Sequence, residues 1–352
     1  MATNETRNNS ISIAKGVGII LMVLGHTHFS KYGNTWVSMV HMPLFFFFSG
    51  YCFKEKYLDH FFTFLKKRIK GLYWPAVKWG LVFLALHNVF FHLNLYSEST
   101  SFYSGKDFFT RICYIIVTMR YFEELLGGYW FMRTLFWCSI ISYFVIKFLP
   151  LRVCIISLLL GSIVLLIINK NIPYFSLGAR ELIASLIFVC GYGYRKSNYK
   201  WEYSKYIYAI GVILVTVGTF FWSASMGWFQ SMTWWKVLPW VSTAIFGTIA
   251  IYALSIRINN CKRLSPMFIF IGEHTLEILT WHLLCFKLIS FIIVTVNNLG
   301  VSHLADFPVI DNYSTKGWWT AYLFAGCGVP LLLVLFKSYA KGVISKCYHS
   351  KL

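Results

Sequence analysis

Residues 11–30 read ISIAKGVGIILMVLGHTHFS, an apolar run that contains one lysine and ends in two histidines. About 20 apolar residues in an α-helix are enough to cross the hydrocarbon core of a bilayer, which is ~30 Å thick. The run is not followed by a small-residue cleavage site. We therefore expect a retained first membrane helix.

Apolar runs of this kind recur along the whole chain. Ten are long enough, or nearly long enough, to cross a bilayer, and they lie near 11–30, 36–53, 71–95, 128–149, 151–169, 179–195, 205–223, 236–256, 268–296 and 318–337. The second and sixth runs are short, which predicts that they are tilted, kinked or partly re-entrant, with the kink of the second at Pro43. The pattern predicts an all-α polytopic membrane protein of about ten transmembrane helices, a single domain over residues 1–352.

The composition excludes several classes of protein. Of the 352 residues, 57% are hydrophobic and only 13% are charged, whereas a soluble domain carries about 25% charged residues. Mean hydropathy is +0.60, so water-soluble and disordered chains are both excluded. The nine cysteines include no CxxC pair, and neither a disulfide framework nor a metal site is expected.

The net charge of +19 would suggest nucleic acid as a partner of a soluble protein. In a membrane protein, basic residues instead collect in cytoplasmic loops. With ten spans and a cytoplasmic N-terminus, 20 basic residues lie on the cytoplasmic side and seven on the other. This asymmetry predicts an integral membrane protein with both termini in the cytoplasm. Its expected partner is the lipid bilayer, and no nucleic-acid partner is expected.

Five basic residues remain inside the predicted spans: Lys15, Lys78, Arg133, Arg180 and Lys287. An ionisable group near the bilayer centre costs at least ~2.5 kcal/mol, so each is a candidate functional residue that faces protein or water. The alternative is that the side chains extend to the membrane surface, or that Arg180 pairs with a neighbouring acid.

Lys15 has a possible functional partner on its own helix. Lys15 and His26 are eleven residues apart, which at about 100° per residue places them about 20° from alignment, with a rise of roughly 16 Å. Such a face suits a long ligand whose anionic end binds Lys15 and whose reactive end reaches His26. His28 and His41 fall near the same membrane level. Alternatively, these imidazoles only satisfy buried hydrogen-bonding groups.

Further polar residues stand in or beside apolar runs. The basic segment at 66–70, which is followed by Pro75, is a second candidate functional group. The alternative is that it is an anchor that binds anionic lipid. Glu273 and Glu277 are four residues apart and are predicted to share a helix face, whereas His282 falls half a turn away. One continuous helix could not direct both acids and His282 into a single site. His87 and His92 are further buried candidates.

The order of several motifs resembles acyltransferase family 3 of membrane proteins, and within it the fucose 4-O-acetylase-like branch. Family members carry an Arg, ten residues and a His in the first helix, followed by four further motifs. Their counterparts here are Lys15 and His26; 41–46 (HMPLFF) with 49–51 (SGY); 67–70 (KRIK) with Pro75; 128–131 (GYWF); and Gly272, Thr275, Leu276, Ile278 and His282.

Two positions depart from the family pattern. Lys15 stands where the first motif usually has Arg, which keeps the charge but loses the planar guanidinium fork. Gly71 stands where the basic motif has its second Arg. Arg68 and Lys70 could supply that contact instead.

The resemblance implies transfer of an acyl group, usually acetyl from acetyl-CoA, to a hydroxyl of a cell-surface glycan or its lipid-linked precursor. His26 would be the general base, because an imidazole suits proton removal at neutral pH; it could alternatively carry the acyl group itself. Donor and substrate contacts would come from Lys15, Arg68, Lys70, His41, Trp130 and His282. Acyl-CoA is a substrate, no tightly bound cofactor is expected, and the bacterial inner membrane is the expected location.

Two other classes of function remain open at this stage. A transporter or flippase for a lipid-linked sugar would also need buried cations and aromatic side chains, which could include Trp130, Trp234, Trp235, Trp318 and Trp319. A non-catalytic membrane sensor or scaffold would need neither acyl-CoA nor His26. The sugar, the hydroxyl, the length of the acyl group and the oligomeric state are not determined by the sequence.

Overall fold

The computed structural model describes residues 8–172 and 175–349, with the side chains at 228, 230 and 341–349 left aside. In this part of the chain 79% of the residues are helical and there is no β-strand. The predicted all-α class is therefore confirmed.

Sixteen α-helices follow one another within the described residues. The first eight are α1 Asn9–His26, α2 Lys31–Ser38, α3 His41–Tyr51, α4 Phe61–Arg68, α5 Trp74–Ala85, α6 His87–His92, α7 Gly105–Thr118 and α8 Trp130–Phe148. The remaining eight are α9 Leu151–Ile168, α10 Ala179–Lys196, α11 Ile207–Phe221, α12 Val237–Asn259, α13 Leu264–Glu273, α14 Thr275–Val296, α15 Asp311–Tyr313 and α16 Trp319–His349.

Six helical segments in the described chain are long and apolar enough to cross a membrane, and the predicted count of about ten is not confirmed. The six are Asn9–His26, Glu124–Phe148, Leu151–Ile168, Trp234–Asn259, Thr275–Val296 and Asp311–Ala340. The other predicted runs fold into shorter or more polar helices. The run at 205–223, for example, forms the 15-residue α11.

The predicted run at 36–53 is divided before Pro43, not kinked at it. The break between α2 and α3 falls at Met39 and Val40, and Pro43 is the third residue of α3. Proline is tolerated in a first helical turn because the backbone N–H groups there have no partner within the helix. Pro43 therefore helps to start a second helix.

The ninth predicted run also consists of two helices. His274, with φ −110° and ψ 30°, separates α13 from α14. Glu273 is the last residue of α13 and Glu277 lies in the first turn of α14. The predicted shared face of these two acids assumed one continuous helix and is wrong.

Close backbone contact fixes α13 against α1. A Cβ atom added to Gly272 would lie 1.8 Å from the carbonyl oxygen of Ser12, and one added to Gly16 would lie 2.6 Å from that of Phe268. Only glycine allows backbones this close. The contact positions the helix that follows, α14, beside the C-terminal half of α1.

The outer helices expose apolar side chains. In the most apolar part of α9 only 17% of the residues are buried within the protein, against 61% for α14. Exposed side chains on α9 include Ile156, Leu160, Val164 and Ile167. A continuous apolar face of this kind is expected to contact lipid, so α9 lies at the periphery and α14 in the interior.

Candidate functional site

Lys15 and His26 lie on one continuous helix, as predicted. Helix α1 begins after Asn8, whose side chain accepts a hydrogen bond from the backbone N–H of Ser10 at 3.0 Å. Ile11, Lys15, Ile19 and Met22 of α1 line a common cavity. These positions are three or four residues apart and define one helix face, and His26 follows Met22 by one further turn.

We call this space the basic cavity. Its volume is about 460 Å³, and its walls come from α1, α3, α4, α8 and α14. Its cationic lining residues are Lys15, Lys67 and Arg68, whereas most of its surface is apolar and includes Met22, Met42, Phe45, Phe48, Phe131, Met132, Leu135 and Leu279. A cavity that combines a cationic region with an apolar wall suits a ligand with an anionic end and an uncharged arm.

Two basic residues at the end of α4 reach this cavity, and a third does not. Lys67 donates a hydrogen bond from Nζ to the hydroxyl oxygen of Tyr57 at 2.7 Å. The guanidinium of Arg68 stacks on the Phe64 ring, 5.0 Å from its centroid. Lys70 lies in the π-helical segment Ile69–Tyr73, is exposed, and is not part of the cavity lining.

The structure brings His26 and His282 together. Their ring centroids are 5.3 Å apart with an interplanar angle of 37°. His282 stands one turn beyond Leu279 on α14, and Leu279 lines the basic cavity. The two histidines therefore lie just past the apolar end of the cavity, opposite the end lined by Lys15 and Arg68. Sequence reasoning selected both histidines but did not pair them.

The hydrogen bonds of His282 define its tautomer. Its Nδ1 lies 3.1 Å from the carbonyl oxygen of Ile278 and 3.0 Å from that of Leu279. A carbonyl oxygen only accepts, so Nδ1 carries the proton. Nε2 is buried and has no hydrogen-bond partner among the described residues. The neutral ring therefore presents an unused lone pair inside the protein, and a buried unpartnered acceptor is a rare and costly feature.

The segment before α8 packs against His282. Residues Glu124–Tyr129 form a 3-10 helix in which the hydroxyl of Tyr129 hydrogen bonds to Thr280 of α14 at 2.7 Å. A Cβ atom at Gly128 would lie 2.7 Å from Cδ1 of Leu279 and 3.8 Å from Cε1 of His282. A larger residue at Gly128 would force the Leu279 side chain to move and would contact the His282 ring, so glycine keeps this segment close to α14.

His41 and His28 stand near this pair. Nδ1 of His41 donates to the carbonyl oxygen of Val37 at 2.8 Å, and Nδ1 of His28 lies 2.7 Å from Oδ1 of Asp311. Both are close enough to His26 to interact with it electrostatically. Within residues 8–172 and 175–349, no three His, Cys, Asp or Glu side chains are placed to hold a metal ion.

Trp130 lies in a second space, which we call the arginine cleft. The cleft has a volume of about 390 Å³ and is lined by Met119, Arg120, Tyr121, Phe122, Leu126, Gly127, Trp130, Arg133, Asn171, Ser176 and Arg180. The guanidinium of Arg180 stacks on Trp130, 5.3 Å from the ring centroid. Trp130 follows Gly128, which packs against His282, by two residues, but it lines a different space from Lys15 and Arg68.

Arg133 and Glu181 form a buried ion pair that sequence reasoning missed. Nη1 of Arg133 lies 2.9 Å from Oε1 of Glu181, and their side chains are 5% and 0% exposed. Arg180, the predicted partner of this acid, makes a longer contact of 3.3 Å. Helical spacing could not reveal the Arg133 contact because the two residues are on different helices.

The other two basic residues inside the predicted spans have separate environments. Nζ of Lys287 is buried and donates to the carbonyl oxygens of Leu304 and Asp306, both at 2.8 Å. Lys78 is exposed and lies over the ring of Trp79. Neither lines the basic cavity or the arginine cleft.

His87 forms a separate buried pair with Glu123, at 2.6 Å from Nδ1 to Oε2. Nε2 of His87 donates to the carbonyl oxygen of Ser101 at 3.0 Å, and its ring stacks on Tyr103. Burial raises the pKa of Glu123, although its bond to His87 acts in the opposite direction. This pair joins the start of α6 to the segment before α8, and neither residue lines the basic cavity or the arginine cleft.

These features define a class: a polytopic helical membrane protein with a histidine pair between a basic cavity and an arginine cleft. A family model described as an acyltransferase domain, Acyl_transf_3, matches residues 8–337. The chain therefore belongs to acyltransferase family 3, and membership implies acyl transfer at a membrane. No curated protein and no solved structure matches the chain.

Proposed function

We propose that this protein transfers an acetyl group from acetyl-CoA to a hydroxyl of a cell-surface glycan or its lipid-linked precursor. One observation carries the proposal: His26 and His282 meet just past the end of a cavity whose opposite end is lined by Lys15 and Arg68. Within the family, the order of the motifs resembles the fucose 4-O-acetylase-like branch, which suggests a sugar hydroxyl as the acceptor.

The basic cavity suits coenzyme A as a donor. Its volume of about 460 Å³ falls within the usual range of small-molecule sites. Lys15, Lys67 and Arg68 would bind the phosphates, since ionised donors make the strongest hydrogen bonds to phosphate oxygens. The uncharged pantetheine arm would then follow the α1 face past Ile19 and Met22 toward His26, a rise of roughly 16 Å from Lys15.

His26 would act as the general base. The acceptor oxygen attacks the thioester carbon while its proton passes to His26; the carbon–sulfur bond breaks, and the CoA thiolate leaves and takes up a proton. The ring nitrogen of His26 that does not receive the acceptor's proton would donate a hydrogen bond to the Nε2 lone pair of His282. This bond would fix the orientation of the His26 ring. The ring separation of 5.3 Å is compatible with such a bond between facing nitrogens.

In an alternative route, His26 itself is acylated before the sugar attacks. This route makes the same use of the cavity and differs in one intermediate. Rapid acid quenching with labelled acetyl-CoA in the absence of acceptor would leave label on His26 by the covalent route and none by direct transfer.

The membrane arrangement proposed with this function has about ten spans and both termini in the cytoplasm of a bacterial inner membrane. The distribution of 20 basic residues against seven supports it through the positive-inside rule. Lys15 and Arg68 would then face the compartment that contains acetyl-CoA. Donor and acceptor would approach the histidines from opposite sides of the membrane.

The direct test uses the full chain in lipid nanodiscs with labelled acetyl-CoA, with and without a glycan acceptor. His26→Ala should lower acyl transfer by about 10²-fold to 10⁴-fold, the usual contribution of a general base. His92→Ala is the matched control, because the prediction that His92 is buried is wrong: His92 is exposed and does not line the cavity. Retained transfer by folded His26→Ala would contradict the base assignment. Movement of a sugar without thioester loss would indicate a transporter instead.

A second test probes donor binding without catalysis. Cys52 lines the basic cavity and is exposed, as is Cys113 on α7. In two variants that each keep one of these thiols, CoA should slow maleimide labelling of Cys52 and leave labelling of Cys113 unchanged. Equal labelling of Cys52 with and without saturating CoA would show that the donor binds elsewhere.

A further inference from the structure

The arginine cleft contains more positive charge than its neighbours neutralise. Arg120, Arg133 and Arg180 line it, and no carboxylate does among its described lining residues. Glu181, which is fully buried behind the cleft, is the acid that contacts Arg133 and Arg180. Three guanidinium groups and one carboxylate leave two positive charges.

The three arginines differ in how many of their N–H donors are used. Arg133 bonds to Glu181 and to the carbonyl oxygens of Thr118, Phe175 and Ser176, which uses four of its five N–H donors. Arg180 makes two long contacts, 3.3 Å to Glu181 and 3.4 Å to the carbonyl oxygen of Gly227. Its side chain is 18% exposed. Arg180 therefore keeps donors for a ligand.

Arg120 on the facing wall is also available. The one hydrogen bond that its guanidinium makes to a described residue is a long contact of 3.4 Å from Nη2 to the hydroxyl of Tyr121, over whose ring the guanidinium stacks. Arg180 stacks in the same way on Trp130. The cleft thus presents two guanidinium groups, each supported by an aromatic ring. A planar guanidinium binds carboxylate or phosphate oxygens in pairs.

The cleft lies next to the histidine pair. Gly127 lines the cleft, and a Cβ atom at the adjoining Gly128 would be 3.8 Å from Cε1 of His282. Two residues without side chains therefore separate the cleft from His282 at this point. The basic cavity approaches the same histidine from Leu279. A molecule bound in the cleft would approach His282 past Gly127 and Gly128, by a route separate from the basic cavity.

We propose that the arginine cleft binds an anionic sugar acceptor, with Arg120 and Arg180 holding its phosphate or carboxylate group. Trp130 and Tyr121 supply the aromatic surface that packs against the sugar. A hydroxyl of the bound acceptor is then directed past Gly127 and Gly128 to His282 and His26. The catalytic part of this inference rests on the proposed acyl transfer, whereas the binding part does not.

The test compares three ligands that share one sugar ring. Glucose 1-phosphate, glucuronic acid and glucose would be titrated at millimolar concentrations into the full chain in nanodiscs by calorimetry. The charged sugars should bind and glucose should not; the difference between the two charged sugars identifies phosphate or carboxylate as the recognised group. Arg120→Gln and Arg180→Gln should each weaken binding about tenfold or more. Arg111→Gln, which removes a charge outside the cleft, should not.

Each result is decisive for this proposal. Equal binding by the wild type and both cleft variants, glucose binding as tightly as its charged relatives, or no binding of either anion would overturn it. Hydrolysis of labelled acetyl-CoA without acceptor provides an independent readout, which the control variant Arg111→Gln should leave unchanged. If the anions bind as expected but no acceptor ever receives a labelled acyl group, the proposed function fails while the cleft assignment stands.

Discussion

The basic cavity and the arginine cleft are both cationic and both approach His282, yet they hold their charges differently. Arg133 in the cleft is buried against Glu181 and three backbone carbonyl oxygens. Arg68 in the cavity is half-buried, stacks on Phe64, and contacts no carboxylate among the described residues. A buried arginine must be paired to be tolerated, whereas one that borders an open cavity can bind a ligand. The pairing of Arg133 with a buried carboxylate thus indicates a role in stability, whereas Arg68, with no carboxylate contact among the described residues, is available to bind a ligand.

The largest effect is expected from Arg133→Met. The change leaves the buried Glu181 without its closest cation, and breaking a buried ion pair costs about 3–5 kcal/mol. Chemical denaturation in detergent should show a free energy of unfolding lower by this amount. Arg68→Met should leave the unfolding free energy nearly unchanged. Similar losses in both variants would remove the distinction between the two regions.

A double variant sharpens the same comparison. Arg133→Met combined with Glu181→Met removes both charges, and replacing a buried ion pair by apolar residues is often neutral or stabilising. The double variant should therefore recover stability relative to Arg133→Met. Further loss in the double variant would show that Glu181 is needed for its bonds to Thr134 and Gly178 more than for the pair.

His282→Ala tests the boundary between the two regions. We expect acyl transfer to fall by about 10²-fold, near the lower end of the contribution of an acid–base group, because in the proposed mechanism His26 would lose the acceptor that orients it. The measurement is the rate against pH for the wild type, His282→Ala and His282→Asn. A structural role alone would lower the amount of folded protein and leave the pH profile of the remainder unchanged.

Smaller effects are expected at the cationic end of the basic cavity. Lys15→Ala should raise the KM for acetyl-CoA by about tenfold through the loss of one charged hydrogen bond, with little change in kcat at saturation. Lys15→Arg should be tolerated because it retains the charge. A selective loss of acceptor affinity in Lys15→Ala would contradict the proposed orientation of the donor.

The smallest effect is expected at Lys70. This side chain is exposed and absent from the cavity lining, so Lys70→Ala should change the KM for acetyl-CoA by less than about twofold, because an exposed charge interacts weakly through water. Arg68→Ala, measured in parallel, should change it by about tenfold. Equal effects would show that Lys70 moves into the cavity when the donor binds.

Part of the site was predictable because it depends on local geometry. Lys15 and His26 occupy one helix, whose periodicity is a property of the backbone itself, and apolar run length predicted the all-α class. The break at His274 was not predictable, since residues 268–296 are apolar throughout much of their length. In the structure the break follows directly after Gly272, where the backbone of α13 contacts that of α1.

The sequence by itself determined the membrane character of the chain, the shared helix of Lys15 and His26, and the family through the order of its motifs. Only the tertiary structure decided which residues meet: His26 with His282, Arg133 with Glu181, and Trp130 with Arg180. The physical reason is the range of the interactions. Hydrophobic run length and helical spacing act within one segment, whereas contacts between helices depend on how closely their backbones approach.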